Sequence, residues 1–223
     1  MTKFIALASG KGGTGKTTIA VNLAIALNSL GRDTTVFDAN LVAPNIGLHL
    51  GFPELETTLH SALEGKSSIE EALYLHPSGL KVVPGSVSFK KREFKKKLSD
   101  ILLGLIGKTE IVIIDAGSDA SALEAADETI VVTTPDHPSL TGALKTIQSA
   151  EDAGSVVIGI ILNKAKKADI KAAKSILKQP IIAAVPEDKK ISRSIAARQP
   201  VTISYPHSAA SREFRKLADL LNQ

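Results

Sequence analysis

The sequence predicts an α/β fold: a single doubly wound, mostly parallel sheet with helices on both faces. Three observations predict it. Short β-branched runs alternate with amphipathic stretches along all 223 residues. The runs are apolar almost without interruption, as strands covered on both faces must be. No low-complexity segment, internal repeat or long linker divides the chain, so residues 1–223 read as one domain. An α/β domain of this size buries roughly three quarters of its unfolded surface.

The elements follow in order. Residues 3–9 form the first strand, and 16–30 a helix that Gly31 ends. Residues 34–38 are the second strand. Short helices are expected over 57–63 and 69–74, the second opened by a capping box at Ser67-Ser68-Ile69-Glu70. Residues 80–83 are a strand. Residues 93–106 form a helix with Phe94, Leu98, Ile101, Leu102 and Leu105 on one face. Strands at 110–115 and 128–133 flank a short helix. A helix over 139–153 precedes a strand at 155–162, which holds the longest apolar stretch and has strand length. A helix at 169–177, a strand at 180–185 and helices at 189–197 and 208–221 complete the chain. In the last helix Phe214, Leu217, Leu220 and Leu221 share a face, which the sheet is expected to cover.

Composition narrows the function. Hydrophobic residues make up 43% and charged residues 22%, which excludes disorder and a fibrous chain. The chain has no cysteine, so disulfides, zinc ribbons, iron–sulfur ligation and thiol catalysis are excluded. Aromatics are 4% with no Trp, which argues against a base-stacking surface. No run of about 18 apolar residues exists, and the first residues lack the pattern of a secretion signal. A cytoplasmic protein is the expectation. Charge is uneven: residues 1–155 carry a net −4 and residues 156–223 a net +8. That asymmetry raises the prospect of an anionic partner.

In such folds ligands bind beyond the carboxyl ends of the strands. The first strand runs into Gly10-Lys11-Gly12-Gly13-Thr14-Gly15-Lys16-Thr17, which fits G-x-x-x-x-G-K-[ST] between a strand and a helix. Glycines let several N–H groups point into one concavity, and the helix N-terminus adds positive potential for phosphate. Lys16 is placed to reach the terminal phosphates and the Thr17 hydroxyl to ligate Mg²⁺. Asp115 ends the strand Ile111-Val112-Ile113-Ile114, and Asp38 closes the second strand. Each suits a Mg²⁺ site; each also suits the capping of a turn. Asn163 ends a later strand within Asn163-Lys164-Ala165-Lys166. Lysine in place of the guanine-reading Asp cannot accept from guanine, whereas Asn pairs with adenine N6 and N7, so ATP is favoured. Asn163 also suits a plain strand-end turn.

A second lysine early in the loop, here in KGGTGKTT running through Lys11 and Thr18, resembles the deviant Walker A motif of the MinD/ParA family of ATPases. The resemblance covers most of the chain. Asp38-Ala39-Asn40-Leu41 with Pro44-Asn45-Ile46-Gly47-Leu48 is similar to the family's first switch. Thr58-Leu59-His60 to Tyr74, Val82-Val83-Pro84-Gly85-Ser86, Pro186-Glu187-Asp188 and the Ser208-Ala209-Ala210 helix look more like MinD than ParA. The resemblance implies ATP or ADP with Mg²⁺, and an ATP-dependent sandwich dimer in which Lys11 contacts phosphates bound by the other subunit; the plain alternative is a solvated lysine. It also implies base contacts from Pro186, Glu187 and Asp188. Two departures stand out. Asn40 occupies the position where the family usually has the Asp that positions the attacking water, and it cannot take up a proton at useful pH. The second switch reads Asp115-Ala116-Gly117-Ser118-Asp119 without the usual Pro, leaving Gly117 to offer an N–H to phosphate and Asp119 as a substitute acid. Binding is therefore more secure than hydrolysis.

Two basic surfaces remain. Residues 90–97 read KKREFKKK. Lys167, Lys171, Lys174 and Lys178 form a stripe at helical spacing, with Lys164 and Lys166 beside it and Arg193, Arg198, Arg212, Arg215 and Lys216 further on. Such stripes serve DNA phosphates, acidic lipid heads or solvent alone. The expected function is a MinD-like, Mg²⁺-dependent ATPase, a homodimer with ATP that works as a spatial-positioning or assembly switch with a protein activator or cargo and carries no metal cluster. It would be cytoplasmic, or peripheral at membrane or nucleoid. The alternatives are a ParA-like partition protein binding DNA nonspecifically and a nucleotide-gated module without turnover.

Overall fold

The structure, a computed structural model, describes residues 1–88, 93–117 and 120–222. The strands are β1 (Lys3–Ala8), β2 (Thr34–Ala39), β3 (Tyr74–Leu75), β4 (Lys81–Val83), β5 (Ile111–Ala116), β6 (Glu128–Thr133), β7 (Val156–Asn163) and β8 (Ile181–Val185). They form one sheet in the order β3-β4-β2-β5-β1-β6-β7-β8. Every pairing is parallel except β3 with β4. The expected doubly wound, mostly parallel sheet is thus present.

The helices are α1 (Lys16–Ser29), α2 (Ile46–His49), α3 (Leu59–Leu63), α4 (Leu98–Leu103), α5 (Ser121–Glu124), α6 (His137–Asp152), α7 (Lys167–Ile176), α8 (Lys189–Ala196), α9 (Val201–Ser204) and α10 (Ala209–Leu221). Strand residues alternate between two buried faces. Ile5, Leu7, Val36, Ile113 and Ile130 pack with Ile19, Leu23 and Leu27 of α1 and with Phe214 and Leu217 of α10. Phe4, Ala6, Phe37 and Ile114 pack with Leu59, Leu98 and Leu102 on the other side. Val131, beside Ala8 in register, extends that second face to Leu140 and Ile147 of α6 and Ala173 of α7. Both faces are covered, so the strands have no solvent-facing polar side, and this is why they are largely apolar.

Three expectations need correction. The helix expected over 69–74 does not form. Ser68 and Glu71 make the reciprocal capping pair one residue later than expected, but the turn they cap goes no further, and Tyr74–Leu75 pairs with β4 instead. The helix expected over 93–106 shrinks to Leu98–Leu103, because the Lys95 and Lys96 N–H groups are spent on the Leu63 carbonyl. Phe94 therefore lies before the helix, half-exposed and edge-on to His60, rather than on its apolar face. Helix α6 starts at His137, not Ser139: Asp136 caps it by accepting from the Ser139 N–H, with a proline in the first turn. The short elements β3, α2 and α9 carry no sequence pattern long enough to predict.

Candidate functional site

The sheet order puts the Gly10–Thr17 loop at the centre of the carboxyl edge. It leaves β1, which lies between β5 and β6. Asp38 and Asp115 are register partners on β2 and β5, so two acids from separate segments arrive side by side next to the loop.

The loop takes shape from its glycines. Gly13 and Gly15 have φ of 78° and 90°, in the left-handed region that side chains disfavour. A Cβ on Gly10 would come within 2.3 Å of the Gly142 carbonyl oxygen, so the loop lies directly on the backbone of α6. Asn163 Nδ2 donates to the Thr14 carbonyl (2.6 Å), and Lys164 Nζ donates to the Gly13 carbonyl (3.2 Å). Gly142 and Lys164 were not foreseen as loop contacts; the one trace of Gly142 in the sequence was a glycine inside a helix.

Lys16 Nζ reaches Asp115 Oδ1 (3.3 Å) and the Ala116 carbonyl (2.5 Å), and Thr17 Oγ1 donates to Asp115 Oδ2 (2.5 Å). Asp115 is fully buried. Asp38, also buried, accepts from the Ile46 N–H through Oδ2 (2.9 Å), while its Oδ1 is buried with no hydrogen-bond partner among the described residues. Burial, and then the Asp115 charge, push the Asp38 carboxyl up to about 8, against the pull of the Ile46, Asn40 and Asn45 N–H groups. An orphaned buried oxygen beside a second carboxylate and a hydroxyl fits a hard divalent cation that takes oxygen ligands.

Lys11 points away from this cluster. Its Nζ lies 3.1 Å from Asp136 Oδ1. Hydrogen bonds from Thr134 and Ser139, then from Lys11, hold the exposed Asp136 carboxyl well below the usual range. A cleft of about 550 Å³ opens beside the loop, lined by Gly10, Lys11, Gly12, Lys16, Asn40, Gly117 and Lys145 among others. Within it Asn40 is folded onto its own turn: Nδ2 donates to the Ala43 carbonyl and Oδ1 accepts the Ala43 N–H. Thr18 Oγ1 lies 3.3 Å from His49 Nε2 of α2. Pro186 and Glu187 follow β8, and Asp188 caps α8 by accepting from the Lys190 N–H. Asp119, Lys90, Lys91 and Arg92 lie outside the described residues.

A parallel sheet whose central strand runs through a glycine loop into a buried helix, with two strand-end acids beside it, defines the class of P-loop nucleotide-binding proteins. Residues 5–201 match the CobQ/CobB/MinD/ParA nucleotide binding domain. The chain belongs to that family. It is similar to the septum site-determining protein MinD of Pyrococcus horikoshii, solved in complex with Mg-ADP, at 33% identity and a TM-score of 0.93, covering 100% of this chain and 97% of that one. It is 31% identical to the septum site-determining protein MinD of Thermotoga maritima, over 98% of this chain and 87% of that protein. It is 38% identical to an uncharacterized ATP-binding protein of Methanocaldococcus jannaschii, over 96% of this chain and 85% of that one.

Proposed function

We propose that the chain is a MinD-like, Mg²⁺-dependent ATPase that dimerises on ATP and acts as a spatial-positioning or assembly switch, in cell division or a related process. The observation that carries this reading is the convergence of Lys16, Thr17, Asp38 and Asp115 beside the loop, with Lys11 held outside it. Lys16 exchanges Asp115 and the Ala116 carbonyl for oxygens of the terminal phosphates. Thr17, Asp38 and Asp115 hold Mg²⁺, which supplies charge neutralisation at the phosphates. The loop N–H groups and the Gly117 N–H bind phosphate oxygens, with Thr18 at the start of α1 behind them. Asn163 keeps one N–H and its Oδ1 for the adenine edge, and Pro186, Glu187 and Asp188 border the base. Lys11 leaves Asp136 for phosphates on a second copy. The test is nucleotide affinity and phosphate release with Mg-ATP: Lys16→Ala should lose tight ATP binding, and near-normal affinity in that variant contradicts the reading.

The Asn40 geometry favours slow turnover. An amide that closes its own turn is a poor water-positioning group, and a missing general base costs about 10²–10⁴ in rate. Asn40→Asp should raise single-turnover hydrolysis at saturating Mg-ATP with little change in ATP affinity. An equal or lower rate would mean that Asn40 does not stand at the water, or that Asp119 already performs that role. No phosphate release in either protein would favour the nucleotide-gated module instead.

The lysine stripe supports an anionic surface partner. Lys167, Lys171, Lys174 and Lys178 are exposed along α7 and just past its end, and none pairs with an acid among the described residues. DNA binding that needs ATP and falls steeply with salt would move the assignment to a ParA-like partition protein. No helix among the described residues is long and apolar enough to cross a membrane, so an acidic membrane would be met at its surface.

A further inference from the structure

Two adjoining depressions behind the loop at residues 40–45 form one groove. The larger, about 580 Å³, is walled by Val42, Pro44, Leu48, His60, Val87 and Phe94. The smaller, about 240 Å³, shares Pro44, Leu48, Ser86 and Val87 with it and runs past Phe52 to Arg198. Val42 is 83% exposed, Leu48 47%, Val87 43% and Phe94 42%. Large apolar side chains gathered along one depression mark a surface that another molecule covers.

Charge indicates what covers it. At one end Phe94 runs straight into Lys95, Lys96 and Lys97, all exposed and none in an ion pair among the described residues. Arg198 stands exposed at the other end; among the described residues Glu54 is the one acid lining either depression, and exposed Glu93 beside Phe94 offsets one of the three lysines. A basic occupant is repelled at both ends, whereas an apolar segment flanked by carboxylates satisfies floor and rim together.

The groove also shares parts with the nucleotide cleft. Val42 lines both. Buried His60 joins the two groove walls: its Nδ1 accepts from the Ser86 N–H (3.0 Å), which leaves Nε2 to donate to the Leu41 carbonyl (3.0 Å). A Cβ on Gly85 would come within 2.4 Å of Pro44 Cβ and 3.5 Å of Asp38 Cγ, so the segment after β4 is seated hard on the 40–45 loop. An occupant therefore presses on the same loop that places Asn40 in the cleft.

We propose that this groove docks a partner protein through a segment whose apolar side chains are flanked by Asp or Glu, and that docking changes how long nucleotide is held. The second half rests on the nucleotide reading above; the docking itself does not. The test pans a displayed random-peptide library on the full chain. The expected peptides combine apolar residues with flanking acids and compete for one site. They should lose about tenfold or more in affinity to both Val87→Glu and Phe94→Glu. Both positions are half-exposed, and unchanged melting and ATP affinity confirm that the variants are folded. Enriched peptides that are basic or neutral, or that bind both variants normally, overturn the docking proposal. So does binding of phosphatidylglycerol vesicles, or self-association of the chain, that the two variants abolish. Release of a fluorescent ATP analogue is then followed with the peptide saturating. A severalfold change is expected, and an unchanged rate overturns the coupling. Failure of the analogue to bind the chain at all overturns the nucleotide reading and leaves the docking result standing.

Discussion

Asp136 decides where Lys11 points. Its Oδ1 takes the Lys11 ammonium and the Ser139 N–H, and its Oδ2 takes the Thr134 and Ser139 hydroxyls. Both partners of the ion pair are exposed, so the pair adds little to stability. It competes instead with any phosphate that Lys11 reaches for. Asp136→Asn keeps the capping of α6 while removing the charge. The variant should melt like the wild type and dimerise with ATP at severalfold lower protein concentration. An unchanged concentration midpoint would mean that Asp136 does not restrain Lys11. Asp38 sets a different balance. Its carboxyl is pushed up from 3.8 to about 8 by burial and by Asp115, so the folded chain keeps a proton that the unfolded chain has released. Stability in the absence of magnesium and nucleotide should therefore fall as pH rises from about 4 to about 8, by at most about 1.4 kcal/mol per pH unit. Asp38→Asn should flatten that slope. Urea unfolding near pH 5 and near pH 8 measures it, and identical slopes in the two proteins would contradict the assignment.

The phosphate loop is held between elements, and this makes its glycines unequal. Gly10 meets the α6 backbone, whereas a Cβ on Gly12 meets nothing within 4 Å. Gly10→Ala forces the loop off α6 and should cost about 1–3 kcal/mol; Gly12→Ala should leave thermal stability near wild type. Equal melting temperatures for the two variants would refute the close approach. The strands other than β3, the loop and the strand-end placing of Asp38 and Asp115 were legible in the sequence, because burial on both faces and a strand–glycine–helix unit leave long, regular patterns; that the two acids are register partners was not, because it depends on the strand order. The 69–74 and 93–106 segments misled because their periodic apolar residues, Ile69 and Phe94 among them, sit in turns and coil fixed by Glu71 and by the Leu63 carbonyl. Asp136, Gly142 and Lys164 went unseen as loop contacts for another reason. They act from β6–α6 and β7–α7 segments distant in sequence, and nothing in their local pattern says which loop they touch.

At the scale of the molecule, strand order gathers the site on one edge. Segments after β1, β2, β5, β6 and β7 supply Lys16, Asn40, Gly117, Asp136 and Lys164. The cleft between them opens to solvent with Lys11 and Lys145 at its lining, which leaves room for a second copy to bring a lysine to the phosphates. The central claim is that ATP, and not ADP, closes two chains on each other. Light scattering of the chain in saturating Mg-ATP and in saturating Mg-ADP measures this directly. The expected result is twice the 23.4 kDa chain mass with Mg-ATP and the single-chain mass with Mg-ADP. A single-chain mass with ATP demonstrably bound, or a dimer in both nucleotides alike, would contradict it.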